Sequence, residues 1–155
     1  KSMDLSTHKC QYSDKYFETF NFTVINNSVS SQLQTRIKIG AGVKLYMSLE
    51  MRLNNTKTYT NIFTYEADVC KVLSSYRNNI YKRWIRSLMK YGNFPEKCPA
   101  PPACYYLRAW QLDDDLIPKF ILSGDYRLKN YVYYGRYENK NRDNLLNCTF
   151  VVKLI

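Results

Sequence analysis

The sequence predicts a mainly β protein, a two-sheet antiparallel β-sandwich with one amphipathic helix inserted, and three observations predict it. From Gly42 onward, Val43, Leu45, Met47, Leu49, Met51 and Leu53 hold one parity and Lys44, Tyr46, Ser48, Glu50 and Arg52 the other. That is the period-2 signature of a half-buried strand. Further stretches rich in β-branched and aromatic residues recur along the chain, separated by polar or Pro-bearing segments. A single stretch, between Asp68 and Tyr91, instead repeats apolar residues at i, i+3 and i+4.

In chain order, strands are expected at Tyr16 to Ile25 and Gln32 to Ile39, divided by the polar segment Asn26 to Ser31. The pair Gly40 and Gly42 reads as the entry to a hairpin. Its first strand is Val43 to Leu53 and its second Thr58 to Tyr65, turned at Asn54-Asn55. The helix then carries Val69, Val72, Leu73, Tyr76, Ile80, Trp84 and Leu88 on its apolar stripe, with Asp68 placed to cap it and Gly92 to stop it. Lys71, Arg77, Lys82, Arg83, Arg86 and Lys90 occur over the same stretch without one acid. At 100° per residue all but Arg77 lie opposite the stripe. The face reads either as the solvated side of a helix packed on a sheet or as a membrane-surface helix. Pro95, Pro99, Pro101 and Pro102 stiffen the loop that follows. Strands resume at Tyr105 to Leu112, Tyr126 to Tyr137 and Leu145 to Leu154, and six or seven strands around one helix favour a sandwich over a barrel.

With 155 residues, the chain is expected to form a single domain, residues 1–155. No apolar run is long enough to cross a bilayer, and the first twenty residues lack a signal-peptide core, so a secreted chain would already have lost its signal. Five cysteines, no CxxC pair and one histidine, His8, fit disulfides and not a zinc site. Disulfides need an oxidising compartment. Sequons at Asn21, Asn26, Asn54 and Asn147 agree with secretion to the extracellular space. The net charge of +10 attracts anionic partners, of which lipid headgroups and acidic glycans suit that location and nucleic acid does not; it equally serves solubility.

No chemistry is expected. His8 is the only imidazole and lies near the N-terminus, Asp113-Asp114-Asp115 reads as a solvated turn and not a cation site, and no glycine loop precedes a helix to cradle phosphate. No cofactor or metal is implied. Tyr131, Tyr133 and Tyr137 share a parity that suits core or cavity lining better than nucleobase stacking.

An ordered series in the second half carries a resemblance. Asp68-Val69-Cys70, the helix, Cys98-Pro99, Tyr105-Tyr106-Leu107, Leu116-Ile117-Pro118 and Ser123-Gly124-Asp125-Tyr126-Arg127 precede a last strand bearing Cys148. Over about residues 60–155 this resembles the ML lipid-recognition superfamily, in particular the ganglioside activator and the insect secreted CheA/CheB-type chemosensory proteins. The resemblance implies an immunoglobulin-like sandwich whose sheets leave an apolar cavity. It also implies a carrier, accessory or sensor role for a lipid or lipid-like ligand, such as a pheromone-related signal, with no catalysis. It pairs Cys10 with Cys148 and Cys70 with Cys98. Cys104 is then left over in an expected monomer, free or available to join a second chain. The longer basic helix departs from the ganglioside activator and puts a hydrolase partnership in doubt.

On this reading the cavity is lined by Val43, Leu45, Met47, Leu49, Met51, Trp110, Leu116 and Ile117, with headgroups chosen near Asp113 to Pro118. The alternative is a filled core and an interaction protein that presents Lys71, Lys82, Arg83, Arg86 and Lys90 to an acidic receptor, glycan or membrane.

Overall fold

The computed structural model describes residues 3–53, 56–74, 80–111 and 117–155, without the side chains at 80 and 81. Its strands are β1 (Met3–Tyr12), β2 (Phe17–Ile25), β3 (Ser28–Thr35), β4 (Val43–Arg52), β5 (Tyr59–Asp68), β6 (Cys104–Trp110), β7 (Gly124–Tyr134) and β8 (Asp143–Leu154); helices α1 (Val69–Ser74) and α2 (Ile80–Lys90) lie between β5 and β6. A five-stranded sheet ordered β1-β8-β7-β4-β5 and a three-stranded sheet ordered β2-β3-β6, antiparallel throughout, form an immunoglobulin-like sandwich.

The first strand went unread in the sequence because a bulge between Leu5 and Thr7 flips its parity. Met3 and Leu5 face inward on one parity and His8, Cys10 and Tyr12 on the other, which erases the period-2 pattern. His8 is therefore held in an edge strand, its ring 4.9 Å from that of Phe22. The β2–β3 link is also tighter than expected. Asn26 and Asn27 take φ of 50° and 62°, the left-handed pair that a two-residue hairpin turn requires, so β3 starts at Ser28. The Gly40 to Gly42 segment carries the chain from the small sheet to the large one and into the first strand of the β4–β5 hairpin, Gly42 with φ of 91°. The β4–β5 hairpin is present as read.

Asp68 Oδ1 accepts the Lys71 N–H at 3.1 Å and caps α1. Lys82 Nζ donates to the Leu73 and Val72 carbonyls at 2.6 and 3.3 Å. Nine residues of continuous helix would span about 13 Å, beyond a lysine's reach, so α1 and α2 fold against each other where one rod was expected. Lys82 thereby leaves the basic face and neutralises the C-terminal carbonyls of α1. Gly92 follows α2 because a Cβ there would lie 2.4 Å from the Tyr106 carbonyl oxygen.

Both disulfides are formed. Cys10 and Cys148 face each other across β1 and β8, Cα atoms 4.2 Å apart, and Cys70–Cys98 ties α1 to the proline loop. Cys104 is free and exposed on β6.

On the outer face of the large sheet, Glu50 pairs with Arg127 and, at 3.0 Å, with Lys129, while Arg52 pairs with Asp125 at 3.0 Å. Tyr131, Tyr133 and Tyr137 stand on this face too and not between the sheets; Tyr133 is nonetheless fully buried, as a core role requires, its hydroxyl donating to Glu66 at 2.8 Å, while Tyr131 and Tyr137 are half-buried. Tyr46 stacks on Tyr137 with centroids 3.7 Å apart, and the Arg142 guanidinium lies 4.4 Å from the Tyr137 ring. The register explains it: Tyr131 and Tyr133 oppose Tyr46 and Lys44, the outward residues of β4.

Two stability predictions follow from these links. Cys10–Cys148 closes a separation of 138 residues against 28 for Cys70–Cys98. Replacing the first pair with serine should lower stability in urea by about 3–5 kcal/mol, more than replacing the second. The other concerns pH. Burial pushes the Glu50 carboxyl up, but the hydrogen bonds and charges of Arg127 and Lys129 outweigh it and hold it below its ordinary value. Hydrogen bonds from Tyr16 and Lys15 hold Asp143 low as well. Lowered carboxyls stabilise the fold above their unfolded values and lose that contribution as pH falls through the folded ones. Calorimetry should show a steady Tm near neutrality that declines below about pH 4.5, and a shallower decline in Glu50→Gln.

Candidate functional site

The inward row of β4 changes its surroundings along its length. Val43 is 3% exposed and belongs to a packed cluster with Tyr16, Phe17 and Leu145, backed by Leu33, Val132 and Tyr134. Here the two sheets touch. Farther along, Met47, Leu49 and Met51 open onto a cavity of about 430 Å³ whose described lining holds no residue of the small sheet. A second cluster, of Ile117, Tyr126, Val152 and Leu154, packs beside it.

The floor of the cavity is the large sheet. Leu128 opposes Leu49 and Tyr126 opposes Met51 in the β4–β7 register, and Val152 and Leu154 continue the row on β8. One wall is Trp84 of α2, and another is Ile62 and Phe63 of β5. The remaining wall is the segment from Ile117 to Leu122, which the buried Ile117 anchors. Within it the Ile121 N–H donates to the Pro118 carbonyl at 3.0 Å, and Tyr126 Oη donates to the Leu122 carbonyl at 2.6 Å. Burial pushes the Tyr126 phenol up, so it stays protonated and keeps that donor. Phe120, Leu122 and Ile62 remain 82%, 67% and 53% exposed at the rim. Apolar side chains held in water beside an apolar hollow mark a surface that gains by being covered.

Of the expected lining residues, Met47, Leu49, Met51 and Ile117 stand around the cavity. Val43 does not, because Tyr16 and Phe17 fill the space above it, and Leu45, next along the row, does not reach the opening. Trp110 does not either: it lies on β6 in the small sheet, and its Nε1–H donates to Ser87 Oγ of α2 at 3.1 Å, locking the helix in place. Leu116 lies outside the described residues, as do Asp113 to Asp115. Trp84, Phe120, Tyr126, Leu128 and Val152 were missed. Trp84 was visible on the helix stripe and Tyr126 and Leu128 alternate on β7, but only their meeting makes a wall.

Lys71, Arg83, Arg86 and Lys90 are exposed, whereas Lys82 is turned onto α1. Asn21 and Asn26 are exposed on β2 and its turn, while Asn147 sits on β8 between β1 and β7 with a buried, unpartnered Oδ1; Asn54 lies outside the described residues. Among the described residues no cluster of metal-binding side chains occurs, and no described helix is long and apolar enough to cross a membrane.

Residues 45–128 match the model of a family described as "Protein of unknown function (DUF1091)". The match covers more than half of the chain and takes in most of β4, α2, the Ile117 to Leu122 wall and the start of β7. No curated protein matches the chain.

If the space beside Leu128 is empty, filling it should be tolerated. Leu128→Trp is expected to keep or raise Tm, where overpacking a filled core costs about 1–3 kcal/mol. Val43→Ala, in the packed cluster, should instead cost about 2 kcal/mol. Thermal unfolding of both variants checks the contrast.

Proposed function

Because the chain belongs to the DUF1091 family, a domain of the ML lipid-recognition type, we propose that it is a secreted, extracellular binding protein that holds a lipid or lipid-like ligand in this cavity. Its role on this reading is that of a carrier or accessory protein, of the kind the ganglioside activator and CheA/CheB resemblance implies, for a hydrophobic signal such as a chemosensory or pheromone-related compound. It acts as a monomer without turning its ligand over, and it needs no cofactor.

The observation that carries this reading is the cavity itself, about 430 Å³ of apolar-walled space, within the range of about 300–1,000 Å³ that small-molecule sites occupy. Burying a dozen methylenes at about 0.8 kcal/mol each contributes on the order of 10 kcal/mol, from which association subtracts several. The remainder, about 4–6 kcal/mol, corresponds to a dissociation constant between about a millimolar and some tens of micromolar from burial alone, and further contacts would have to tighten it. The reading that the chain is instead an interaction protein rests on Lys71, Arg83, Arg86 and Lys90, the exposed cations of its helices. That reading predicts salt-sensitive sedimentation with anionic vesicles and no ligand.

Organic extraction of the purified protein followed by mass spectrometry tests the proposal. An apolar compound in near-stoichiometric amount is expected, and Leu128→Trp should come out empty. A clean extract, together with no uptake of a fluorescent apolar probe by the delipidated protein, would sink it.

A further inference from the structure

The last turn of α2 runs into the edge of β6. The Arg108 N–H donates to the Tyr91 carbonyl at 2.8 Å, the Asn93 N–H donates to the Tyr106 carbonyl at 3.3 Å, and Gly92 pairs with Leu107. Arg83, Arg86 and Lys90 follow one another at i, i+3 and i+7 along the helix, within an arc of about 60°, and Arg108 prolongs the row onto the sheet. All four are exposed. Neither α2, nor β6, nor the adjoining β3 contains an acid, and the ion pairs among the described residues are made by other cations.

Three of the four are arginines, whose planar guanidinium meets an oxyanion through two parallel N–H donors. The Arg108 guanidinium is already ordered, 4.0 Å from the centroid of the Tyr106 ring. Charges laid in a row from a helix to a strand suit a chain of anions and not a single ion. A bilayer is the other extended anionic surface, and an amphipathic helix holds to one by burying its apolar face among the lipids. Here that face is committed to the fold: Trp84 walls the cavity, and Ser87 Oγ accepts the Trp110 Nε1–H at 3.1 Å. Trp84 stands about 100–160° around the helix from the three cations of α2, and their own arc holds no apolar residue.

We propose that Arg83, Arg86, Lys90 and Arg108 form a docking strip for a sulfated polysaccharide. Its sulfates are fixed on sugar rings, whereas an acidic peptide must also order every glutamate it presents. The strip does not depend on the cavity holding a ligand; the choice of a polysaccharide over nucleic acid rests on the extracellular reading.

Retention on immobilised heparin tests it, with competition by soluble heparin, by poly-L-glutamate and by vesicles of phosphatidylserine and phosphatidylcholine. The protein is expected to stay bound at physiological salt, about 0.15 M. Arg86→Ser/Lys90→Ser/Arg108→Ser should bind on the order of 100-fold more weakly, about five-fold for each charge removed. If that variant loses its thermal transition, Arg86→Ser and Lys90→Ser singly, each about five-fold weaker, decide the matter. Lys9→Ser/Lys140→Ser/Lys153→Ser, which removes exposed charges elsewhere, should change affinity by less than about three-fold, because charges beyond a Debye length are screened. Equal losses in the two triple variants would overturn the inference, since net charge alone would then hold the polymer. Vesicles or polyglutamate competing as well as heparin at equal charge would overturn it in favour of a membrane or an acidic protein, and elution below physiological salt would overturn it outright. Each of these failures leaves the cavity reading standing, because organic extraction of the protein measures that independently.

Discussion

The structure depends on a mismatch of area: a five-stranded sheet with an apolar inner face is partnered by a sheet of only three strands. Exposed apolar surface costs about 25 cal/mol for each Å², so the uncovered part of the β4, β7 and β8 rows has to be roofed by something else. The small sheet covers the β1–β8 side, where Phe22 lies 5.2 Å from Phe150, and the end of the sandwich at Val43. What remains is covered by α2 and by the Ile117 to Leu122 segment. A helix and a loop cannot interdigitate with a pleated surface as a second sheet does at about 10 Å. The gap they leave is the cavity.

A roof of that kind has little sheet hydrogen bonding to hold it, and the chain fixes it by other means. Cys70–Cys98 fastens α1 to the proline loop, Lys82 draws α2 onto the carbonyls of α1, and the Trp110–Ser87 hydrogen bond ties α2 to the small sheet. The loop has its own fastening in Tyr126 and Leu122. Apart from Tyr126 and Leu122, which themselves line the cavity, these contacts involve no residue of its described lining, so the roof is held around an opening without filling it. The outer face of the large sheet meets water with its own solution, pairing Glu50 with Arg127 and Lys129 at one end and stacking tyrosines under Arg142 at the other. Those tyrosines make an outward layer that the small sheet has no part in covering.

Much of the strand order could be read directly because alternation survives wherever a strand is regular. Val43 to Arg52 is the clearest case, and the β4–β5 hairpin follows from it. Reading failed where the backbone departs from regularity. One bulged residue concealed β1, and two left-handed asparagines turned what looked like a polar separator into a two-residue turn. Serines and glutamines in β3 look loop-like in isolation; they are tolerated because alternate positions of that strand face solvent.

The sequence by itself determined which residues face inward, since parity along a strand and periodicity around a helix are local properties. It placed Met47, Leu49 and Met51 on one face, Trp84 on the apolar stripe of a helix, and the basic residues opposite that stripe. Only the tertiary structure decided what each inward residue meets. Val43 and Met47 share a strand, a face and an apolar character, yet one is buried under Phe17 and the other opens onto empty space. Nothing local separates them, because the difference lies in where the opposing sheet stops, and that is set by strands elsewhere in the chain.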